Sequence, residues 1–198
     1  MHLLKPLVLA SQSPRRLQLL RQIGFSPVVA PCDVPEEFTD ASPEENAIAL
    51  ALRKATCVAG GFDNAFVIGA DTIVVVDGEY LGKPADPDDA RRMLELLSDK
   101  THTVHTAFAI VDCPSGESVT GLESTRVTFR RLPREEIEEY VRGGSPMDKA
   151  GAYGIQDDYG AVFVNRVEGC YYTVVGLPLS RLYVTLEEFQ RRIQNDDG

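Results

Sequence analysis

Histidine occurs three times in this 198-residue chain and cysteine four times, and neither is arranged for metal chemistry. His2, His102 and His105 form no ligand cluster. Cys32, Cys57, Cys113 and Cys170 are widely spaced, with no CxxC pair and no neighbouring histidine to complete a zinc site. The cysteines read as reduced, partly buried packing residues, and His102 and His105 as exposed or half-buried residues at the start of a strand. No apolar stretch approaches the roughly 18 residues of a membrane span, and no long apolar segment with a small-residue cleavage site follows the N-terminus. These absences argue against membrane crossing and place the protein in the cytoplasm. Basic residues are also scarce: 20 Lys and Arg against 30 Asp and Glu leave a net charge of −10. Extended contact with a nucleic-acid polymer is disfavoured, so any phosphate is bound in a local basic pocket. Several familiar motifs are missing too. A P-loop fails because Gly82-Lys83 is followed by Pro84, and there is no GxSxG and no HExxH. Asp71-Thr72-Ile73 lacks the second aspartate that an aspartyl-phosphate hydrolase requires.

What is present is enough apolar residue, 43%, to bury a substantial core. Strand-like runs fall at 6–10, 65–76, 103–112, 117–131 and 161–167; helical patterns fall at 14–24, 43–60, 86–98, 133–142 and 178–194. The early strand–helix alternation predicts some parallel pairing. The runs 103–112 and 117–131 flank Pro114-Ser115-Gly116 and predict an antiparallel hairpin. The fold class is therefore α/β, with a mixed, twisted central sheet flanked by helices. Ser42-Pro43-Glu44-Glu45 and Asp86-Pro87-Asp88-Asp89 each supply a cap, a proline and acidic first-turn residues, so these acids serve helix ends. No repeat, low-complexity tract or linker divides the chain, which reads as one domain over 1–198 with a frayed tail at 195–198.

The chemistry begins at Ser11-Gln12-Ser13-Pro14-Arg15-Arg16. A buried strand leads into a helix with Ser13 as N-cap and Pro14 at its first position, so helix N–H groups and two guanidiniums gather where an anion with several oxygens would bind. Arg16 lies four residues before Leu20 and seven before Ile23, and so projects inward. Alone, the hexapeptide reads equally as a capped helix with two solvated arginines. Asp71 interrupts Phe66-Val67-Ile68-Gly69-Ala70 and Ile73-Val74-Val75-Val76, a run suited to a strand buried on both faces. Leaving a carboxylate unpaired there costs several kcal/mol, so Asp71 should meet cations, donors or a metal unless it sits in a turn. Asp77-Gly78-Glu79 predicts a hairpin that turns Lys83 back, although Lys83 alone reads as well as a solvated loop lysine. Lys54 falls on the edge of the stripe Ala47, Ile48, Ala51, Ala55, Val58, where snorkelling is the favoured reading for an isolated lysine. Residues 148–156, Asp-Lys-Ala-Gly-Ala-Tyr-Gly-Ile-Gln, let backbone approach a ligand closely, or form an ordinary small-residue loop. Gln156 offers a donor and an acceptor, as reading a base edge requires.

Together these segments resemble the Maf family of nucleoside triphosphate pyrophosphatases. The resemblance rests on residues 11–16, on Ile68-Gly69-Ala70-Asp71-Thr72-Ile73-Val74, on Leu81-Gly82-Lys83-Pro84, on 148–156 and on Val174-Val175-Gly176-Leu177-Pro178-Leu179. It implies a Maf/ITPase-like fold with two lobes around a nucleotide-binding cleft. The implied reaction is hydrolysis of a nucleoside triphosphate to the monophosphate and pyrophosphate. Within the family the chain is similar to the dTTP/UTP branch, which carries Arg, Thr and Gln where Arg15, Thr72 and Gln156 stand. The 7-methyl-GTP branch has Trp, Gln and Glu there, groups that suit a cationic base. CTP and modified pyrimidine nucleotides are further candidate substrates.

The resemblance also implies roles. Ser11, Ser13, Arg15 and Arg16 bind the triphosphate, Thr72 and Gln156 the base; Lys54 and Lys83 neutralise phosphate charge, and Asp71 is the general base. Asp71 with Glu36 would hold Mg²⁺ or Mn²⁺, with Asp33 and Glu37 as the other registers for the acidic partner. A homodimer is the family's assembly. The competing reading is a nucleotide-binding regulator linked to cell division or septum formation, in which the same pocket senses without hydrolysing.

Overall fold

Leu7–Leu9 form strand β1, buried throughout because strands pair with it on both sides. In the computed structural model, which describes residues 3–196 except 36, 114, 157 and 158, β1 runs parallel to β2 (Val28–Val29) and to β3 (Ala65–Val76). Helix α1 (Pro14–Gln22) makes the first crossover and α2 (Pro43–Ala59) the second, the connections that parallel strands require. β3 then turns at Asp77 and Gly78, whose φ angles of 50° and 81° match a type I′ turn, and pairs antiparallel with β4 (Glu79–Leu81), Val76 opposite Glu79. After α3 (Pro87–Leu97) come β5 (Thr101–Cys113) and β6 (Ser118–Phe129). The partners Asp112 with Glu117, His105 with Ser124 and Thr101 with Thr128 run in opposite chain directions, which makes this the expected antiparallel hairpin. Pro114 of its turn lies outside the described residues. Helix α4 (Arg134–Arg142), two 3₁₀ turns (Ser145–Asp148 and Ala150–Ala152), α5 (Gly160–Phe163), β7 (Val164–Glu168), α6 (Tyr171–Val175) and α7 (Leu179–Asp196) complete the chain. The seven strands form one mixed sheet in the order β2-β1-β3-β5-β6-β7, with β4 on β3.

The chain divides into two compact units. The first comprises residues 1–71, 106–123 and 176–198, and its core includes Leu9, Leu20, Leu50, Phe66, Ile68 and Leu186. The second comprises 72–105 and 124–175, and its core includes Leu81, Leu94, Phe129, Tyr140 and Phe163. Both acidic helix starts serve as caps: Ser42 and Glu45 form a reciprocal capping box, and Asp86 accepts from the Asp89 N–H.

Four sequence expectations are corrected. Cys32 and Cys57 are joined by a disulfide across Cα atoms 6.3 Å apart, leaving only Cys113 and Cys170 as thiols. Twenty-five residues separate them, so only the fold brings them within bridging distance. His102 and His105 are both buried, because β5 is covered along almost its whole length. The strand expected from 161 begins only at Val164, since Gly160–Phe163 make a helical turn in which Gly160 lies hard against the Gly154 carbonyl. Asn195 and Asp196 continue α7; Asp197 and Gly198 lie outside the described residues.

Candidate functional site

In the first unit, two groups of candidate residues are assembled. Ser13 stands at the N-cap of α1 with Pro14 next, but its side chain makes no capping bond. Its N–H instead donates to the Ser11 hydroxyl at 3.2 Å. Arg16 donates from Nη1 to the same hydroxyl at 3.2 Å and from Nε to the Gly176 carbonyl at 2.9 Å. The guanidinium is thus turned inward, as its spacing from Leu20 requires, and held beside the helix N-terminus. Arg15 is half-buried. Helix N–H groups, a positive dipole end and an oriented guanidinium make this turn suited to an anion.

The second group is built on β3. Asp71 is only 6% exposed, and Lys54 Nζ donates to its Oδ1 at 2.6 Å. Strand alternation puts Gly69 and Asp71 on one face. α2 approaches that face so closely that a Cβ on Gly69 would lie 2.2 Å from the Ala51 carbonyl and 2.6 Å from the Ala55 nitrogen. The small stripe of α2 and the missing Gly69 side chain therefore bring the helix down until Lys54 reaches Asp71. β3 is continuous, so the turn reading of Asp71 is excluded, and Lys54 is an ion-pair partner rather than a snorkelling surface lysine. Arg53 is exposed.

The acidic stretch lies just before α2. Glu36 falls outside the described residues, and Asp33 and Glu37 are exposed. Among the described residues, no group of three or more His, Cys, Asp or Glu forms a metal cluster. Two anchors of this stretch escape sequence reasoning. The disulfide ties Cys32 to α2 three residues beyond Lys54. Asn46 is buried and holds the lead-in to α2, accepting from the Thr39 N–H at 2.9 Å and donating to the carbonyls of Thr39 and Ala41 at 3.2 and 3.0 Å. A Thr-x-x-x-x-x-x-Asn spacing carries no recognisable signal, but a polar residue on the apolar stripe of α2 does.

In the second unit the candidates are Thr72, Lys83 and Gln156. Thr72 is half-buried in β3, and Lys83 is exposed two residues beyond β4. The turn carrying Lys83 is tied to the run that ends in Gln156, since the Gly151 N–H donates to the Gly82 carbonyl at 3.0 Å. Gly151 and Ala152 both have left-handed backbone, φ 70° and 58°, and a Cβ on Gly151 would lie 3.2 Å from Val74. The charged pair Asp148 and Lys149 serves this turn: Lys149 Nζ donates to the Ser145 carbonyl at 2.5 Å and to Asp148 Oδ1 at 2.8 Å. Beneath it, the Tyr153 hydroxyl lies 2.8 Å from His102 Nε2. Burial lowers the His102 pKa to about 3, because a charged ring there would lose its water, and burial with Tyr140 nearby pushes the Tyr153 phenol up.

The model for Maf-like proteins matches residues 6–189. A dTTP/UTP pyrophosphatase of Syntrophomonas wolfei is 49% identical over 176 residues, 88% of this chain and 93% of that protein. A dTTP/UTP pyrophosphatase of Symbiobacterium thermophilum is 50% identical over 187 residues, 94% of this chain and 95% of that protein. Among solved structures, the Staphylococcus aureus Ham1 protein covers 63% of this chain and 72% of its own, with 20% identity and a TM-score of 0.45.

Proposed function

Because the chain belongs to the Maf-like protein family, we propose that it is a nucleoside triphosphate pyrophosphatase that takes dTTP and UTP to the monophosphate and pyrophosphate in the cytoplasm. The observation that carries the reading is the Asp71–Lys54 pair, a buried carboxylate kept in an apolar strand with the Lys54 ammonium 2.6 Å away. A purely structural strand would gain little from such a pair, since well-packed apolar residues of similar volume serve stability as well or better. The family relationship and the anion-binding turn at Ser11–Arg16 support the same conclusion.

Roles follow residue by residue. Arg15, Arg16, Ser11, Ser13 and the α1 N-terminus bind the triphosphate through charge and N–H donors. Water attacks the α-phosphorus and its proton passes to Asp71. The bond from that phosphorus to the bridging oxygen breaks, and pyrophosphate leaves with the electron pair. Lys54 and Lys83 neutralise charge that gathers on the phosphate oxygens, where placement and electrostatics account for most of the rate. Gln156 and Thr72 read the pyrimidine. Mg²⁺ or Mn²⁺ selects hard oxygen donors and is commonly held by one or two carboxylates plus substrate phosphates. Asp71 fits that donor set, with Glu36 as its acidic partner, and the cation when bound supplies further charge neutralisation.

Incubating the protein with UTP, dTTP, CTP, GTP and 7-methyl-GTP and Mg²⁺ tests this. Pyrophosphate and the monophosphate should appear with UTP and dTTP, and little with 7-methyl-GTP. Orthophosphate alone would refute the reaction class. Binding without product would favour a regulator.

A further inference from the structure

Residues 32–39 are fastened to helix α2 at both ends, by different chemistry. At one end Cys32 is bonded to Cys57 in the last turn of α2, with Cα atoms 6.3 Å apart. At the other, the Thr39 N–H and hydroxyl both donate to Asn46 Oδ1, at 2.9 and 3.1 Å, and the Thr39 carbonyl accepts from Asn46 Nδ2 at 3.2 Å. Asn46 and Cys57 stand eleven residues apart, close to three full turns, so they occupy one face of α2 about 16 Å apart along its axis. Extended chain from Cys32 to Thr39 reaches at most about 25 Å. The run is therefore a strap drawn along that face, and its described residues form neither helix nor strand. It passes the turn that carries Lys54, three residues before Cys57, and it holds the acidic stretch from which the proposed function takes the partner of Asp71.

Of the two fastenings, only the bridge can be undone by electron transfer. Cys57 is exposed on α2 and Cys32 half-buried, so a thiolate in solution can reach the Cys57 sulfur. Cys57 also stands at the negative end of the helix dipole, which disfavours a thiolate there, so the bond breaks towards Cys32. In the reducing cytoplasm, where the proposed function puts the chain, bridges that form are as a rule transient, catalytic or redox-sensing.

We propose that the Cys32–Cys57 bridge is a thiol–disulfide exchange site, and that its opening by a dithiol releases the strap from α2 and weakens hydrolysis while the rest of the unit stays folded. One thiolate of the dithiol attacks Cys57 Sγ, the bond between the cysteine sulfurs breaks, and its electron pair goes to Cys32, which takes a proton from solvent. The second thiolate then attacks the dithiol sulfur joined to Cys57. That mixed disulfide breaks, the dithiol leaves as its cyclic disulfide, and Cys57 takes a proton. Two electrons have passed from the dithiol to the bridge, and each cysteine ends as a thiol. The strap is then free between Ala30, whose N–H donates to the Leu9 carbonyl, and Thr39, which Asn46 still holds. The effect on hydrolysis rests on the proposed function; the exchange itself does not.

The native protein, before and after dithiothreitol, is the material for three measurements. Thiols titrated in denaturant after the reductant is removed should number two before treatment, Cys113 and Cys170, and four after it. Glutamyl endopeptidase should cut after Glu37 about fivefold faster in the reduced protein. Pyrophosphate release from UTP should need about three- to tenfold more Mg²⁺ for half-maximal rate once the acidic stretch is loose. Cys57→Ser should match the reduced protein in cleavage and in Mg²⁺ dependence, with or without dithiothreitol, and Cys32→Ser gives the same comparison should Cys57→Ser fail to fold. Four thiols before treatment, or two that persist after it, would overturn the exchange site. Equal cleavage of the two forms would overturn the release of the strap. Faster cleavage with unchanged Mg²⁺ dependence would overturn the control of hydrolysis alone. Absence of pyrophosphate from both forms would remove the proposed function and that control with it, while the thiol count and the cleavage rate still decide the exchange site.

Discussion

The two units hold their candidate residues by different physical means. In the first, regular elements do the placing: β3 presents Asp71, α2 presents Lys54, and α1 presents Arg16, each side chain then locked by a bond to a partner. In the second, Thr72 lies on β3, but irregular backbone places Lys83 and Gln156. Gln156 follows two 3₁₀ turns, two left-handed residues and a cluster of edge-on aromatic rings. Asp71 and Lys54 sit on stiff scaffolding and are ion-paired, and Arg16 on its helix is held by a hydroxyl and a carbonyl. The group assigned to reading a neutral base sits on a segment whose shape comes from packing and neutral hydrogen bonds. Charge-bearing groups need partners of opposite sign wherever they are buried, whereas a neutral amide needs only a fixed direction.

The comparison breaks most sharply at Asp71. Asp71→Asn keeps the shape and removes the charge, so kcat should fall about 10³-fold as the base is lost. Stability should also drop by about 1–3 kcal/mol, because the largely buried Lys54 ammonium loses the carboxylate 2.6 Å away. Pyrophosphate release and a urea midpoint measure the two effects, and near-normal turnover would remove Asp71 as base. Gly69→Ala attacks the same group through its scaffold. The added methyl would need the space occupied by the Ala51 carbonyl, so α2 must move away from β3. A loss of about 3 kcal/mol is expected. A reduced kcat should accompany it as Lys54 leaves Asp71; an unchanged Tm would mean that the helix yields at no cost.

The same contrast explains what could be read from the sequence. A carboxylate inside Phe66–Val76 announces itself, and the limits of β3 follow from its apolar run. The starts of α2 and α3 follow from Ser42-Pro43 and Asp86-Pro87. Arg16 could be turned inward by counting to Leu20. All of these are local patterns with a period. The disulfide between Cys32 and Cys57, the bonds of Asn46 to Thr39 and Ala41, and the tether of Gly151 to Gly82 join residues whose closeness only the finished fold creates. Left-handed Ala152 is invisible for another reason, since alanine favours helices and its conformation is imposed by tertiary contacts. His102 illustrates a third kind of failure. In Thr101-His102-Thr103-Val104-His105-Thr106 the alternation looks half-exposed, yet both histidines are buried: His102 lies on the covered face of an alternating start, and from Val104 onward both faces of β5 are covered.

His102 also supplies the gentlest way to sharpen the comparison, since it can be perturbed without a mutation. Its folded pKa of about 3 lies below the ordinary 6.5, for burial penalises the charged ring. Above pH 6.5 neither folded nor unfolded chain protonates it, and its contribution does not change with pH. As pH falls from 6.5 towards 3, the unfolded chain binds a proton that the folded chain refuses, so stability is lost by up to ~1.4 kcal/mol per unit. Between pH 7 and pH 5 the expected loss from this residue is about 2 kcal/mol. Urea unfolding of the wild type and of His102→Gln isolates it: the variant should lack that part of the slope, and equal slopes would mean that the ring protonates inside the fold. The neutral anchor under Tyr153 then differs in kind from the Lys54–Asp71 pair, because its burial disfavours a charged ring, whereas the pair is held together by its charges.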